Sequence, residues 1–202
     1  MSFSFLPSQL YSEKPIKCHY ENPLALSLLS EQLCKLLIEI DPAVQREIAV
    51  ICIGTDRATG DCLGPLVGWI LMRHRIDFAL YGTLDDPVHA TNLADKLESI
   101  KKNHHSPIII AIDACLGRLE NVGMINVGLG EITPGAGVHK KLPPVGDIHF
   151  TGIVNVSGYM EFLVLQNTRL NVVMQMATKI AHSIVIGIKK AKNRSSSLII
   201  TK

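Results

Sequence analysis

No Cys-x-x-Cys pair occurs in this chain, although it carries five cysteines, at positions 18, 34, 52, 62 and 115. The odd count, and the apolar patterns around Cys34 and Cys52, argue against a paired-cysteine redox or zinc motif and for reduced, intracellular thiols. An excess of one charge is also lacking. Twenty basic and eighteen acidic residues leave a net charge of +2, which gives no electrostatic case for nucleic acid or an anionic membrane as partner. The N-terminus, MSFSFLPSQL, has no basic segment ahead of an apolar one, so no signal peptide is expected. No stretch approaches the roughly 20 consecutive apolar residues of a membrane helix. A cytoplasmic protein is expected, with no nucleic-acid or membrane partner; self-association into a homo-oligomer is left open.

Phosphate-binding signatures are missing too. The segment ICIGTDRATGDCLGP, residues 51–65, runs from an apolar strand into a glycine turn and on toward a helix. A Walker loop would end on Gly-Lys-Ser/Thr, whose lysine and hydroxyl serve phosphate and Mg²⁺. Gly60-Asp61-Cys62 stands there instead. GTDRATG does not supply the Gly-x-Gly-x-x-Gly of a dinucleotide site either, and a carboxylate would repel a phosphate. The turn is therefore read as one that holds a carboxylate.

What is present is a chain of 202 residues, 47% hydrophobic and 19% charged, enough for one well-buried core. Residues 1–21 are expected to form a surface arm, residues 22–192 a single domain, and residues 193–202 a flexible, basic and serine-rich tail. Asn22-Pro23 should open a helix marked by Leu26, Leu29, Leu33, Leu36, Leu37 and Ile40, with Asp41-Pro42 ending it. IAVICIG (48–54) and SPIIIAIDA (106–114) read as strands buried on both faces. LGPLVGWILMRHR and TNLADKLESIKKN read as helices, and FALYGT as a short strand between them. This β-α-β-α-β order predicts an α/β fold with a mostly parallel sheet between two helix layers. MINVGLGEI and FTGIVNV add strands, TPGAGVHKKLPPVGD (133–147) a long loop, and a final helix begins near Thr168.

In an open parallel sheet, ligands bind at the carboxyl ends of strands where strand order reverses. Asp61 lies one turn past the first of these strands and Asp113 closes the third. If those strands are neighbours, the carboxylates share one cleft; one pKa then rises, and the pair can hold a proton and orient water for amide hydrolysis. Two other readings stand beside this one. The pair could bind a divalent metal, with His139 or His149 as a third ligand. Asp61 could simply cap a helix, with Asp113 bonding a loop. Cys62 and Cys115 lie close to the two acids but are read as small buried hydrophobes.

The motifs that carry these acids bring a resemblance. GTDRATGDCLGPLVG and PIIIAIDACLGR resemble the two aspartate segments of the spore germination proteases. TPGAGVHKK resembles their glycine-rich loop, with Thr133 in place of that family's histidine. The short YyaC-type sporulation proteins fit the length and the GTDR/TGD/LGP motif better still. The resemblance implies a three-layer α/β/α fold of the germination-protease and hydrogenase-maturation-protease kind. It also implies an aspartic-type peptidase acting on small spore proteins through Asp61 and Asp113, without a cofactor. Gly54, Gly60, Gly64, Gly135, Gly137 and His139 would contact the substrate. In the maturation proteases the matching acids bind nickel together with a histidine, whose place falls near Asn155 or Ser157. A non-catalytic peptide- or protein-binding factor and a metal-dependent maturation protease are the alternatives.

Overall fold

The computed structural model describes residues 13–135 and 142–200, with side chains as far as 196. Its six strands are β1 (Ile16–His19), β2 (Ile48–Cys52), β3 (Ala79–Tyr81), β4 (Ile108–Gly117), β5 (Met124–Leu129) and β6 (Ile148–Val156). Its five helices are α1 (Ala25–Ile40), α2 (Leu63–Leu71), α3 (Leu93–Asn103), α4 (Glu161–Gln166) and α5 (Leu170–Ile200). The strands form one sheet in the order β1-β5-β6-β4-β2-β3. Pairings β3–β2, β2–β4 and β4–β6 are parallel, and β6–β5 and β5–β1 are antiparallel.

β2 and β4 read as continuous apolar runs because both of their faces are covered. Ile48, Val50 and Cys52, with Ile108, Ile110, Ile112 and Ala114, join the core built on α1, α2 and α5. Ala49, Ile51, Ile53 and Ala111 point the other way, toward Leu93 and Ile100 of α3 and toward Leu142 and Val145. Strand side chains alternate between faces, so helices cover both sides of the sheet. Each fully buried leucine or isoleucine contributes about 1.5–3 kcal/mol relative to exposure.

α1 ends where expected. The Asp41 carboxylate accepts the N–H groups of Ala43, Gln45 and Arg46 at 3.2, 2.7 and 2.8 Å, and Pro42 cannot continue the helix. At the other end Asn22 sits outside the helix proper, its Oδ1 accepting the Leu24 N–H at 2.8 Å.

The structure departs from the sequence expectations in three places. Part of the expected surface arm is β1, an edge strand whose Cys18 is buried opposite Ile125; four residues are too short to show a period. β4 does not close at Asp113 but runs on to Gly117 beside β6, which extends further than β2 does. The basic tail is helical through Ile200. Arg194 donates to both Glu31 oxygens at 2.7 and 3.2 Å, and Ser195 and Ser196 return their hydroxyls to the Lys192 carbonyl. α5 from Leu170 to Ser196 is long and apolar enough to cross a membrane by length and composition. Its apolar face, including Val173, Ala177, Ile180, Ile184 and Ile188, is already buried in the core shared with α1 and α2.

Candidate active site

β2 lies between β3, which follows it in the chain, and β4, which follows β3. The chain therefore leaves β2 toward one side and returns on the other, and the crevice outside the carboxyl ends of β2 and β4 is the switch point of the sheet. A cavity of about 420 Å³ opens there, and both Asp61 and Asp113 line it.

Two glycines bring Asp61 to that crevice. The backbone leaves β2 through Gly54 at a φ of +138°, where a Cβ would stand 1.9 Å from the Asp61 carbonyl oxygen. At Gly64 a Cβ would stand 2.1 Å from the Ile53 carbonyl oxygen. The start of α2 is thus pressed onto the end of β2, and only glycine permits the approach. Asp61 does not cap α2, contrary to the capping alternative. The capping position is Cys62, which makes no side-chain capping bond, and the Asp61 Oδ2 instead accepts the Thr55 N–H at 2.9 Å across the turn.

Asp113 reaches the crevice from inside the sheet. Cys52 pairs with Ile112, and the Ile53 N–H donates to the Ile112 carbonyl at 2.8 Å, so Asp113 is the first residue of β4 beyond its partner strand. Its odd position in the run sends it to the same face as Ala111. It is 8% exposed, and the one protein donor it has among the described residues is the Ala114 N–H, at 2.9 Å on Oδ1. Burial, followed by the charge of Asp61, pushes its carboxyl well above the ordinary range; the Ala114 N–H opposes that only in part. Asp61 is half-buried. Its carboxyl is also raised, mainly by burial, with the Thr55 N–H and the charge of His89 pulling it down.

Of the other residues the sequence singled out, Gly54 and Gly135 line the cavity. Gly60 and Gly64 do not: Gly60 is packed under Leu165 and Thr168, and Gly64 under Ile53. Gly137 and His139 lie outside the described residues. His149, the other candidate third ligand, lies in β6, with Nδ1 3.0 Å from the Gly130 carbonyl and outside the cavity lining. Among the described residues no group of three or more His, Cys, Asp or Glu is gathered as a metal site. Asn155 fastens α4 by donating to the Val164 carbonyl at 3.3 Å and to Thr168 Oγ1 at 3.1 Å. Ser157 donates to the Gly117 carbonyl. Neither lines the cavity. The thiols of Cys62 and Cys115 are pushed up to about 11, chiefly by burial, which leaves little thiolate at neutral pH and suits small core residues rather than nucleophiles.

Among the cavity residues that escaped the sequence reading are His89, Arg57 and Phe162. His89 follows β3, in a segment joined to β2 by the Ile53–Val88 bridge and the Gly54 N–H to Val88 carbonyl bond at 2.8 Å. The loop after any parallel strand opens on the ligand edge of a sheet, and that was the available signal. Phe162 is on α4, one of four exposed apolar residues at Tyr159, Met160, Phe162 and Leu163. Six residues of helix give no period to read.

The DUF1256 family profile, described as "Protein of unknown function (DUF1256)", matches residues 17–183, which take in β2 to β6, all of β1 but its first residue, and every residue of the cavity named above. The chain belongs to that family. It is 57% identical over 143 residues, 70% of each chain, to the "Uncharacterized protein YyaC" of Bacillus subtilis (strain 168). The expected kinship with YyaC-type proteins is borne out, and the mixed α/β fold with a mostly parallel sheet is that of this family member. The resemblance to germination and maturation proteases is one of sequence motifs, the two aspartate segments and the glycine-rich loop.

Proposed function

We propose that the chain is an aspartic-type peptidase in which Asp113 and Asp61 act as acid and base on one amide bond. The reading is supported above all by two carboxyl groups from separate chain segments lining one open cavity at the switch point, the more buried of them favouring its protonated form. Asp61, less buried and receiving a backbone N–H, is the better candidate for the ionised partner. In the hydrolysis, Asp61 accepts a proton from water as the water oxygen bonds to the carbonyl carbon. Asp113 gives its proton to the amide nitrogen as the C–N bond breaks, a carboxylic acid and an amine leave, and the proton on Asp61 returns to Asp113.

The motif resemblance points to small acid-soluble spore proteins as substrates and to the cytoplasm of a sporulating cell. An unfolded or extended polypeptide suits the opening, whose rim carries the exposed Phe162 beside Pro134 and Gly135. A small acid-soluble spore protein incubated with the wild-type chain should be cut, with or without a chelator, and Asp61→Asn and Asp113→Asn should each lower the rate at least 100-fold. Cutting that survives either substitution removes the assignment, and loss of cutting in chelator transfers the reaction to a metal-dependent protease. Binding without cutting would favour the second reading, a peptide-binding factor; the exposed run Tyr159, Met160, Phe162 and Leu163 beside the cavity is the observation on its side.

A further inference from the structure

We propose that His89 is a third functional side chain of the cleft, a cationic partner that holds Asp61 in its ionised, proton-accepting form. The inference rests on the aspartate-pair reading above and assigns the histidine a positioning role within it.

The geometry begins with the backbone. The His89 N–H donates to Asn92 Oδ1 at 2.8 Å, its carbonyl accepts the Leu93 N–H at 3.0 Å, and the adjacent Val88 is bridged to β2. The residue is therefore held between the start of α3 and the end of β2. The ring is fixed as well: Nδ1 lies 2.9 Å from Thr91 Oγ1. Nε2 has no protein partner among the described residues, and the side chain lines the same cavity as Asp61 and Asp113. One nitrogen engaged and the other without a partner among the described residues is the arrangement of an oriented imidazole.

The charges around it favour this role. Asp61 and Asp113 face the cavity with it, and Arg57 lines the same opening with Asp56 beside it on the exposed turn. On its own segment Asp85 is exposed to solvent, and Asp86 is paired with Lys96 at 2.6 Å. The acids thus provide the carboxylate charge nearest the ring within the cavity. The positive charge of His89 acts on Asp61 and opposes the effect of burial there, whereas no such effect falls on Asp113. One acid is thereby steered toward the ionised state and the other left protonated.

The test reads Asp61 itself and needs no substrate. Carboxyl ¹³C NMR titration of Asp61 is compared in the wild type, His89→Gln and His89→Lys. His89→Gln should move the Asp61 midpoint upward, and His89→Lys, which restores a cation, should return it toward the wild-type position. A packing role alone would not be rescued by lysine. An Asp61 midpoint unmoved in His89→Gln, or moved equally by both variants, overturns the proposal. Should the variants fail to fold, carbethoxylation of the imidazole in the folded wild-type protein gives the same comparison and must also raise the Asp61 midpoint. Because the readout is a titration, absence of peptide cleavage would count against the peptidase and not against the role of His89.

Discussion

At the scale of single residues, the account turns on the unequal surroundings of two aspartates. Asp113 has a folded-state pKa raised above its unfolded value by burial and by Asp61. The folded state therefore binds more protons than the unfolded chain above about pH 4, and stability falls as pH rises from there toward the folded pKa, by about 1.4 kcal/mol for each pH unit. Asp113→Asn removes this penalty. It should raise the melting temperature at pH 7 by several degrees, at about 2–4 °C per kcal/mol for a chain of this size, and do little at pH 4. Calorimetry at the two pH values checks it; equal effects at both would contradict it. The identities of both acids were legible in the sequence, because Asp113 directly follows a β-branched run and Asp61 stands in the glycine turn after another. Their different burial was not legible, since it depends on β4 outrunning β2 and on the Thr55 N–H reaching Asp61. His89 was missed for a related reason: DDPVHATN carries no motif of its own, and only its place after a parallel strand marks it.

At the scale of elements, the turn between β2 and α2 holds its shape through two close backbone approaches. Gly54→Ala should cost about 1–3 kcal/mol for the left-handed backbone alone, with the 1.9 Å approach to the Asp61 carbonyl adding to it. Gly64→Ala, aimed at the Ile53 carbonyl, should destabilise similarly. Gly158, with open space around the Cβ it would gain and no positive φ, should tolerate alanine within about 0.5 kcal/mol. Chemical denaturation of the three variants ranks them, and a neutral Gly64→Ala would show that the strap is not needed. At the far end of the molecule, Glu31 is held below its usual carboxyl range chiefly by the bond from Arg194, against a smaller cost of burial. A depressed carboxyl contributes stability above its unfolded pKa and loses it as pH falls through the folded one. Arg194→Ala should thus lower the midpoint of chemical denaturation only slightly at pH 7, the pair being partly exposed, and less at pH 3 or in 1 M salt. The β-α-β-α-β order and the helix from Asn22 to Asp41 could be read from periodicity. The edge strand β1 and the helical C-terminal stretch could not, because a four-residue strand and a Lys/Ser-rich helix owe their structure to β5 and to Glu31.

At the scale of the whole molecule, the sheet turns sequence distance into proximity. β2 and β4 are separated by a helix, a strand and a second helix, yet they are adjacent and in register from Ile48–Ile108 to Cys52–Ile112. That adjacency brings one acid from a turn and one from a strand to a common opening, with a histidine from a third segment at its side. The parallel order in the sequence anticipated this meeting, but the wall made by α4 came from a part of the chain whose pattern carried no signal. The central claim is that Asp61 and Asp113 behave as a coupled pair, and carboxyl ¹³C titration of Asp113 in the wild type and in Asp61→Asn tests it most directly. The account predicts that Asp113 keeps its proton into the pH range where ordinary aspartates are fully ionised, and that removing the Asp61 charge lowers its midpoint. An Asp113 that titrates near 3.9 in the manner of a free aspartate, or whose midpoint is the same with and without Asp61, would contradict it.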